Sequence, residues 1–276
     1  KKSNDFDYFL KYSKKNRFKL FGHKSIKSKK FKIWLSKNVI DLVLNIFSYV
    51  IIPSDIINIP KIGFFNLHPG KLPEYSGLNP ISWSILNGEK SHYVTLHWLT
   101  KNIDAGPIVY SKFFKIYKND TAIKVLQNSI NLGLCLLHKL IKQANKDSKK
   151  IPKIKQKLIK RKYYSKNIPN NGFVNWNLKA NNIYDFIRAF DYKPYNTFWL
   201  EPKIKVNNKI FQIIKVKVSS TNCNLKYGKI KVVSNKYIKI SSLDKWIIVL
   251  KMKYNKSYIN PLEYFNQEDK IENFNN

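Results

Sequence analysis

The chain has 276 residues, of which 14% are aromatic, and a formal net charge of +34. That length and aromatic content argue against a disordered chain and predict a substantial buried core, divided between two domains. All but three of the 51 basic residues are lysines, whereas specific contacts to phosphates and bases favour arginine. The charge therefore leaves two interpretations open, a nucleic-acid partner or a compositional bias toward lysine.

The sequence also bears on compartment and membrane association. Cys135 and Cys223 lie far apart and fit no disulfide framework or metal-binding spacing, which predicts a reducing cytoplasm. The most apolar run, residues 39–53, is interrupted by Asp41 and Asn45 and is too short to cross a bilayer. We therefore expect no membrane segment.

The first half of the chain alternates strand patterns with helix patterns. Helical spacing covers residues 5–17, 26–38, 80–87 and 121–144, with a single helical turn over 54–57. Short apolar or alternating runs predict strands over 42–46, 63–67, 92–99 and 108–114. This alternation predicts an α/β layer with parallel strands.

The second half has a different pattern. Residues 146–172 are rich in lysine and have little periodicity, which predicts a linker between a first domain, 1–145, and a second, 173–276. After a helix over 182–190, short alternating strands follow at 203–206, 209–217, 228–233, 236–240 and 245–251. Asn207-Asn208 fits a type I′ hairpin turn. These strands predict a small β-barrel.

Three polar side chains stand at predicted strand ends, where α/β sheets bind ligands. They are Asn66, His68 and Asp104. Taken singly, His68 could be a core histidine and Asp104 a turn aspartate. Together, an amide that donates to a carbonyl, an imidazole beside an oxyanion and a proton-accepting carboxylate fit acyl transfer. Because no serine or cysteine nucleophile is evident at these ends, direct transfer to an amine fits better than a covalent intermediate.

Five motifs in series make a more specific comparison possible. In chain order they are Asn66-Leu67-His68-Pro69, Leu72-Pro73-Glu74-Tyr75-Ser76-Gly77, Ile85-Leu86-Asn87-Gly88-Glu89, Val94-Thr95 and Ile103-Asp104-Ala105-Gly106-Pro107-Ile108. The series resembles the formyltransferase family that uses 10-formyltetrahydrofolate. Further on, Gly172-Phe173-Val174-Asn175-Trp176 is similar to the segment that leads into the C-terminal barrel of methionyl-tRNA formyltransferase-like proteins.

The resemblance implies a Rossmann-like formyltransferase domain followed by a small C-terminal β-barrel. It also implies that a first strand and helix of that domain are missing ahead of residues 5–20. By analogy with the family, Asn66 would bind the formyl oxygen, His68 would stabilise the oxyanion, and Asp104 would position His68 and accept the amine proton. The donor, 10-formyltetrahydrofolate, would lie against Phe47, Ser48, Tyr49 and Val50, with Leu99 and Ile103 on its other side. No metal is expected.

The acceptor implied by the resemblance is a primary amine. The appended barrel and the basic surface favour initiator methionyl-tRNA, and with it a role in translation initiation. The loop after His68 and the pair His92 and His97 look more like members that act on sugar or carrier-bound amines. An amino-sugar or aminoacyl-carrier acceptor is therefore the alternative. A non-catalytic, basic RNA-binding paralogue is the interpretation outside the enzyme class.

Overall fold

The computed structural model describes residues 4–195, 199–233, 237–267 and 269–272. Its α-helices are α1 (Asn4–Lys15), α2 (Lys29–Lys37), α3 (Ser54–Ile57), α4 (Pro80–Leu86), α5 (Ala122–Asp147) and α6 (Ala180–Ala189). Its first strands are β1 (Leu42–Ile46), β2 (Gly63–His68), β3 (Ser76–Gly77), β4 (Ser91–Trp98), β5 (Ile108–Lys115) and β6 (Tyr163–Tyr164). The later strands are β7 (Lys203–Val206), β8 (Lys209–Asn222), β9 (Ile230–Val233), β10 (Tyr237–Ser241), β11 (Lys245–Tyr254) and β12 (Ser257–Ile259).

The main sheet of the first domain has the strand order β1-β2-β4-β5. β1 and β2 are parallel, as predicted, but β4 is antiparallel to both β2 and β5. The prediction of parallel strands is therefore wrong for two of the three pairs. The physical reason is that α4 packs against α6 and does not cross the face of the sheet. The chain consequently returns to the sheet at the end where β2 finishes, with His68 opposite Thr95.

Both faces of this sheet are covered, which explains the near-continuous apolar sequence of β2. Phe65 and Leu67 pack with Leu136 and Leu140 of α5, whereas Phe64 packs on the other face with Leu35 of α2. Since successive side chains of a strand point to opposite faces, Asn66 and His68 share the face of Phe64. The alternation of β2 therefore directs its two polar residues away from α5.

The second domain is an antiparallel sheet in the order β7-β8-β11-β10-β9, with β12 paired to β11. Residues 269–272 run between the two outer strands, where Ile230 N donates to Asp269 O and Glu272 N donates to Lys205 O. This segment closes the sheet into a small barrel, as predicted. The predicted strand 236–240 begins at a residue outside the described ranges, and β10 occupies Tyr237–Ser241.

The predicted linker, residues 146–172, packs along the first domain. α5 continues to Asp147, and β6 then pairs in parallel with β3. Between them, Ile154 forms an antiparallel bridge to Ile108, and Trp98 Nε1 donates to Pro152 O at 2.8 Å. The segment therefore belongs to the wall of the first domain, whereas the exact domain boundaries stay predictions.

One hydrophobic core joins the two domains. Ile81 and Ile85 of α4 and Val125 of α5 belong to the same buried cluster as Ile183 of α6 and Ile213 of the barrel. The domains therefore share buried surface and do not meet through polar contacts alone. None of the described helices combines the length and hydropathy that a membrane crossing requires.

Candidate active site

A row of polar side chains crosses three neighbouring strands in register. Asn45 of β1 lies opposite Asn66 of β2, which lies opposite His97 of β4. Asn45 Nδ2 donates to Asn66 Oδ1 at 2.9 Å, and Asn66 Nδ2 lies 3.0 Å from His97 Nε2. His97 Nδ1 donates to Trp98 O at 2.8 Å, so in the neutral ring Nε2 is the acceptor. Asn45 thereby fixes which end of the Asn66 amide faces the site.

Asp104 follows β4 and brings its carboxylate to this row. Oδ2 accepts the Gly77 backbone N–H at 2.8 Å, and Oδ1 accepts from Asn66 Nδ2 at 3.3 Å. Asp104 has a φ of 51°, in the left-handed region that residues other than glycine rarely adopt. Such a conformation persists only where the surroundings hold it, so the turn is built to aim this carboxylate.

His68 completes the cluster at the end of β2. Its Nε2 lies 2.7 Å from Tyr75 O, and because a carbonyl only accepts, Nε2 carries the hydrogen. Its Nδ1 lies 3.7 Å from Asp104 Oδ1, beyond direct hydrogen-bond reach. When the ring is neutral, His68 Nδ1 is an acceptor, and the carboxylate oxygen Asp104 Oδ1 is an acceptor as well. The pair is therefore suited to receive the N–H groups of a third molecule.

The electrostatic surroundings determine the charge states of His68 and Asp104. Burial lowers the pKa of His68 below its ordinary value, even though Asp104 and the Tyr75 carbonyl act to raise it. Burial would raise the pKa of Asp104, but His68, His97 and the Gly77 N–H outweigh it and hold that pKa below its usual range. Near neutral pH the site therefore contains an ionised carboxylate beside a neutral imidazole.

These residues open into a cavity of about 520 Å³ between the domains. The predicted site residues that line it are Asn66, His68, Asp104, Phe47, Ser48, Tyr49, Val50, Leu99 and Ile103. Tyr163, Tyr192 and Tyr195 add a wall from later in the chain. The structure thus brings every predicted site residue to one cavity, while their roles in binding or catalysis stay predictions. Within the described part of the chain, no three His, Cys, Asp or Glu side chains cluster as metal ligands.

Several groups of this site were not predicted from the sequence. Asn45 was noted only as an interruption of an apolar run, and His97 only as a hint about the acceptor. A usable signal existed, because β1, β2 and β4 each place a polar side chain in an apolar stretch. The Tyr75 carbonyl and the Gly77 N–H leave no trace in the side-chain pattern.

Comparisons with known proteins show what the chain is similar to. The family model described as formyl transferase matches residues 6–137, and the model described as formyl transferase, C-terminal domain, matches residues 167–269. The bifunctional polymyxin resistance protein ArnA of Wigglesworthia glossinidia brevipalpis is 32% identical over 96% of this chain. The chain spans 42% of the length of that relative.

Solved structures extend the likeness to the fold. An N-formyltransferase from Helicobacter canadensis, in complex with folinic acid and dTDP-3-aminofucose, is 28% identical with a TM-score of 0.63 over 87% of this chain and 81% of that one. WlaRD, a sugar 3N-formyl transferase solved with dTDP and 5-N-formyl-THF, is 26% identical with a TM-score of 0.64, covering 87% and 80%. Since the two family models match one domain each and together cover most of the sequence, the chain belongs to the formyl transferase family.

Proposed function

We propose that this chain transfers a formyl group from 10-formyltetrahydrofolate to a primary amine of a nucleotide-linked amino sugar. The observation that carries the proposal is the convergence of Asn66, His68 and Asp104 on one cavity between the domains. Two similar structures support it, since one was solved with folinic acid and an amino sugar nucleotide and the other is described as a sugar formyl transferase.

The arrangement suits attack by an amine on the formyl carbon. His68 Nδ1 and Asp104 Oδ1, 3.7 Å apart, can accept the N–H groups of the incoming amine and orient its lone pair. The new C–N bond forms as the bond from the formyl carbon to the donor nitrogen breaks, and the proton released by the amine passes to the departing nitrogen. The ionised carboxylate of Asp104 is placed to carry that proton.

The proposal makes the roles of Asn66 and His68 more specific than the resemblance implies. Both hydrogens of the Asn66 amide are engaged, at 3.0 Å with His97 Nε2 and at 3.3 Å with Asp104 Oδ1. Donation to a formyl oxygen therefore displaces the longer of these bonds. His68 donates from Nδ1 to an oxyanion only after it gains a proton, because its Nε2 hydrogen is engaged with Tyr75 O.

The cavity also offers an apolar surface for the formyl donor, 10-formyltetrahydrofolate. Phe47, Val50, Leu99 and Ile103 line the same cavity as Asn66 and His68. A flat heteroaromatic ring is suited to such a cavity, because apolar side chains can bury its faces. These residues are the ones expected from the resemblance, and substituting them is expected to raise the KM for the donor.

The acceptor is the part of the proposal that the comparisons change. The appended barrel and the basic surface favour initiator methionyl-tRNA and translation initiation, whereas one similar structure is described as a sugar formyl transferase and another holds an amino sugar nucleotide. The tRNA interpretation has no support among them. The cytoplasmic location predicted from the cysteines stays a prediction.

The test supplies purified protein with 10-formyltetrahydrofolate and either a dTDP-linked 3-amino sugar or charged initiator methionyl-tRNA. Release of tetrahydrofolate is expected with the sugar. His68→Asn and Asp104→Asn should each lower kcat by about 100-fold or more, since each removes a proton-accepting group. His138→Asn, at an exposed histidine of α5, is the matched control and should keep the rate.

Other outcomes separate the alternatives. Formylation of the tRNA without the sugar would contradict the proposed acceptor. Full activity in both site variants would contradict the proposed site. RNA binding that weakens steeply with salt, without any transfer and without an effect of His68→Asn, would instead favour the non-catalytic interpretation.

A further inference from the structure

One residue of the predicted linker supports the candidate site without lining its cavity. Gln156 is 6% exposed, and its Nε2 donates to Asp104 O at 3.0 Å and to Gly106 O at 2.6 Å. Both partners are carbonyls, which only accept, so the orientation of the Gln156 amide is determined. A single side chain thus uses both of its hydrogens on the turn that carries the carboxylate.

That turn needs outside support. Asp104 is in the left-handed region with a φ of 51°. Gly106 lies so close to β4 that an added Cβ would stand 1.8 Å from Trp98 O. The backbone conformation is unfavourable at Asp104, and Gly106 packs closely against β4. The turn therefore keeps its geometry only through contacts with its neighbours. Gln156 bridges both ends.

The Gln156 contact also carries a cost. Gln156 Oε1 is buried without a hydrogen-bond partner among the described residues, and an unsatisfied buried acceptor opposes folding. The two donated bonds offset this cost, but they are made at the one turn that supplies a predicted catalytic group. A buried group of this kind calls for an explanation beyond packing.

We infer that Gln156 is a positioning residue for the transfer reaction, holding the 104–106 turn so that the Asp104 carboxylate stays beside Gly77, Asn66 and His68. The effect on rate rests on the proposed function, and the effect on geometry does not. Gln156 is absent from the cavity lining, so it acts through Asp104. The segment predicted as a linker would then contribute to the function of the site.

This role has a consequence at His68 that can be measured without turnover. The titratable groups that face His68 are Asp104, His97 and His92. Of these, Asp104 is the one that raises the pKa of His68. If the turn relaxes and the carboxylate withdraws, the pKa of His68 should fall further. A residue that only fastened the linker would leave that pKa unchanged.

The experiment compares three variants of the full chain. Gln156→Leu removes both donors while keeping a side chain of similar size, and Gln156→Asn keeps the amide on a shorter stem. Lys155→Ala changes the exposed neighbour and serves as the control. The first two should lower kcat by about 10- to 100-fold, the effect expected when a catalytic group is misplaced. KM should change less than kcat, because Gln156 does not line the cavity.

Nuclear magnetic resonance of the His68 ring, assigned through His68→Asn, supplies the second measurement. Its titration should move to lower pH in both Gln156 variants and stay in place in Lys155→Ala. A wild-type kcat with an unmoved titration in Gln156→Leu would overturn the inference. If Gln156→Leu does not fold by circular dichroism, Gln156→Asn decides. If the unaltered chain transfers no formyl group, the proposed function fails while the titration still decides the role of Gln156.

Discussion

Both polar atoms of the Asn66 side chain have hydrogen-bond partners. Its oxygen accepts from Asn45, and its nitrogen faces His97 and Asp104. Because it is 7% exposed, water does not compete freely for these bonds. The amide is therefore oriented before any substrate arrives. If it donates to the formyl oxygen as proposed, it is a preorganised dipole of the kind from which enzymes gain much of their rate.

His92 offers a prediction about acid stability. The ring is 2% exposed and donates from Nε2 to Pro69 O at 2.9 Å, and burial lowers the pKa of His92 to about 3. The unfolded chain takes up this proton near pH 6.5, whereas the folded chain resists it until about pH 3. Between those values this histidine favours unfolding increasingly as the pH falls, by about 1.4 kcal/mol per pH unit.

His92→Gln keeps a donor for the Pro69 carbonyl but removes the titrating ring. We expect its free energy of unfolding, relative to the unaltered chain, to improve steadily as the pH falls from 6 to 4 in urea titrations. The titrating groups that do not face His92 are common to the two proteins and cancel in the difference. A difference that does not vary with pH would show that the ring protonates as easily in the folded state as in the unfolded state.

At the scale of elements, the sequence located strands and helices well but not their directions. β1 matches its predicted bounds, Leu42–Ile46, and α4 and α5 differ from prediction by a few residues. Alternation of strands and helices normally indicates parallel crossovers. That inference failed at β4 because the packing partner of α4 is α6, from far along the chain. No local pattern reports that contact.

The role of residues 146–172 was equally hard to read from the sequence. Periodicity reveals a segment that packs through an apolar face, whereas this one is held largely through backbone groups. Arg161 donates to Ile103 O at 2.9 Å, and Gln156 donates to two further carbonyls. A polar side chain that binds backbone atoms looks the same in a sequence as one exposed to solvent. Asn66, His68 and Asp104, in contrast, can be recognised in the sequence because they lie within motifs.

The β7–β8 hairpin supports a prediction at this scale. Its turn residues Asn207 and Asn208 have φ values of 48° and 60°, as the type I′ turn predicted from the sequence requires. Asn208→Ala should lower the free energy of unfolding by about 1 kcal/mol, because alanine tolerates the left-handed region poorly, whereas Asn208→Gly should not destabilise. Urea unfolding midpoints measure both. Lys209→Ala, at the exposed start of β8, is the control, and equal losses in all three variants would contradict the turn assignment.

At the scale of the whole molecule, the shared core predicts a single unfolding transition. α4 and α5 bury Ile85 and Val125 in the same cluster as the barrel, so neither domain can unfold without exposing apolar surface of the other. Differential scanning calorimetry should give a calorimetric enthalpy equal to the van't Hoff enthalpy. Ile85→Ala, at a residue with 0% exposure, should lower that one Tm through a loss of about 2 to 5 kcal/mol.

The matched control is Ile159→Ala, because Ile159 is 96% exposed and its truncation leaves no cavity. Its Tm should equal that of the unaltered chain. Two resolved transitions, with Ile85→Ala shifting only the earlier one, would mean that the domains unfold independently despite their common cluster.

The walls of the cavity come from two parts of the chain. The polar row is fixed by strand register within the main sheet, whereas Tyr192 and Tyr195 lie on the connection after α6. In related proteins, the residues at positions 192 and 195 can therefore change in sequence while the polar row stays the same. Grafting residues 192–195 from a homologue with another preference should exchange the molecule that is modified and leave the chemistry of the transfer intact.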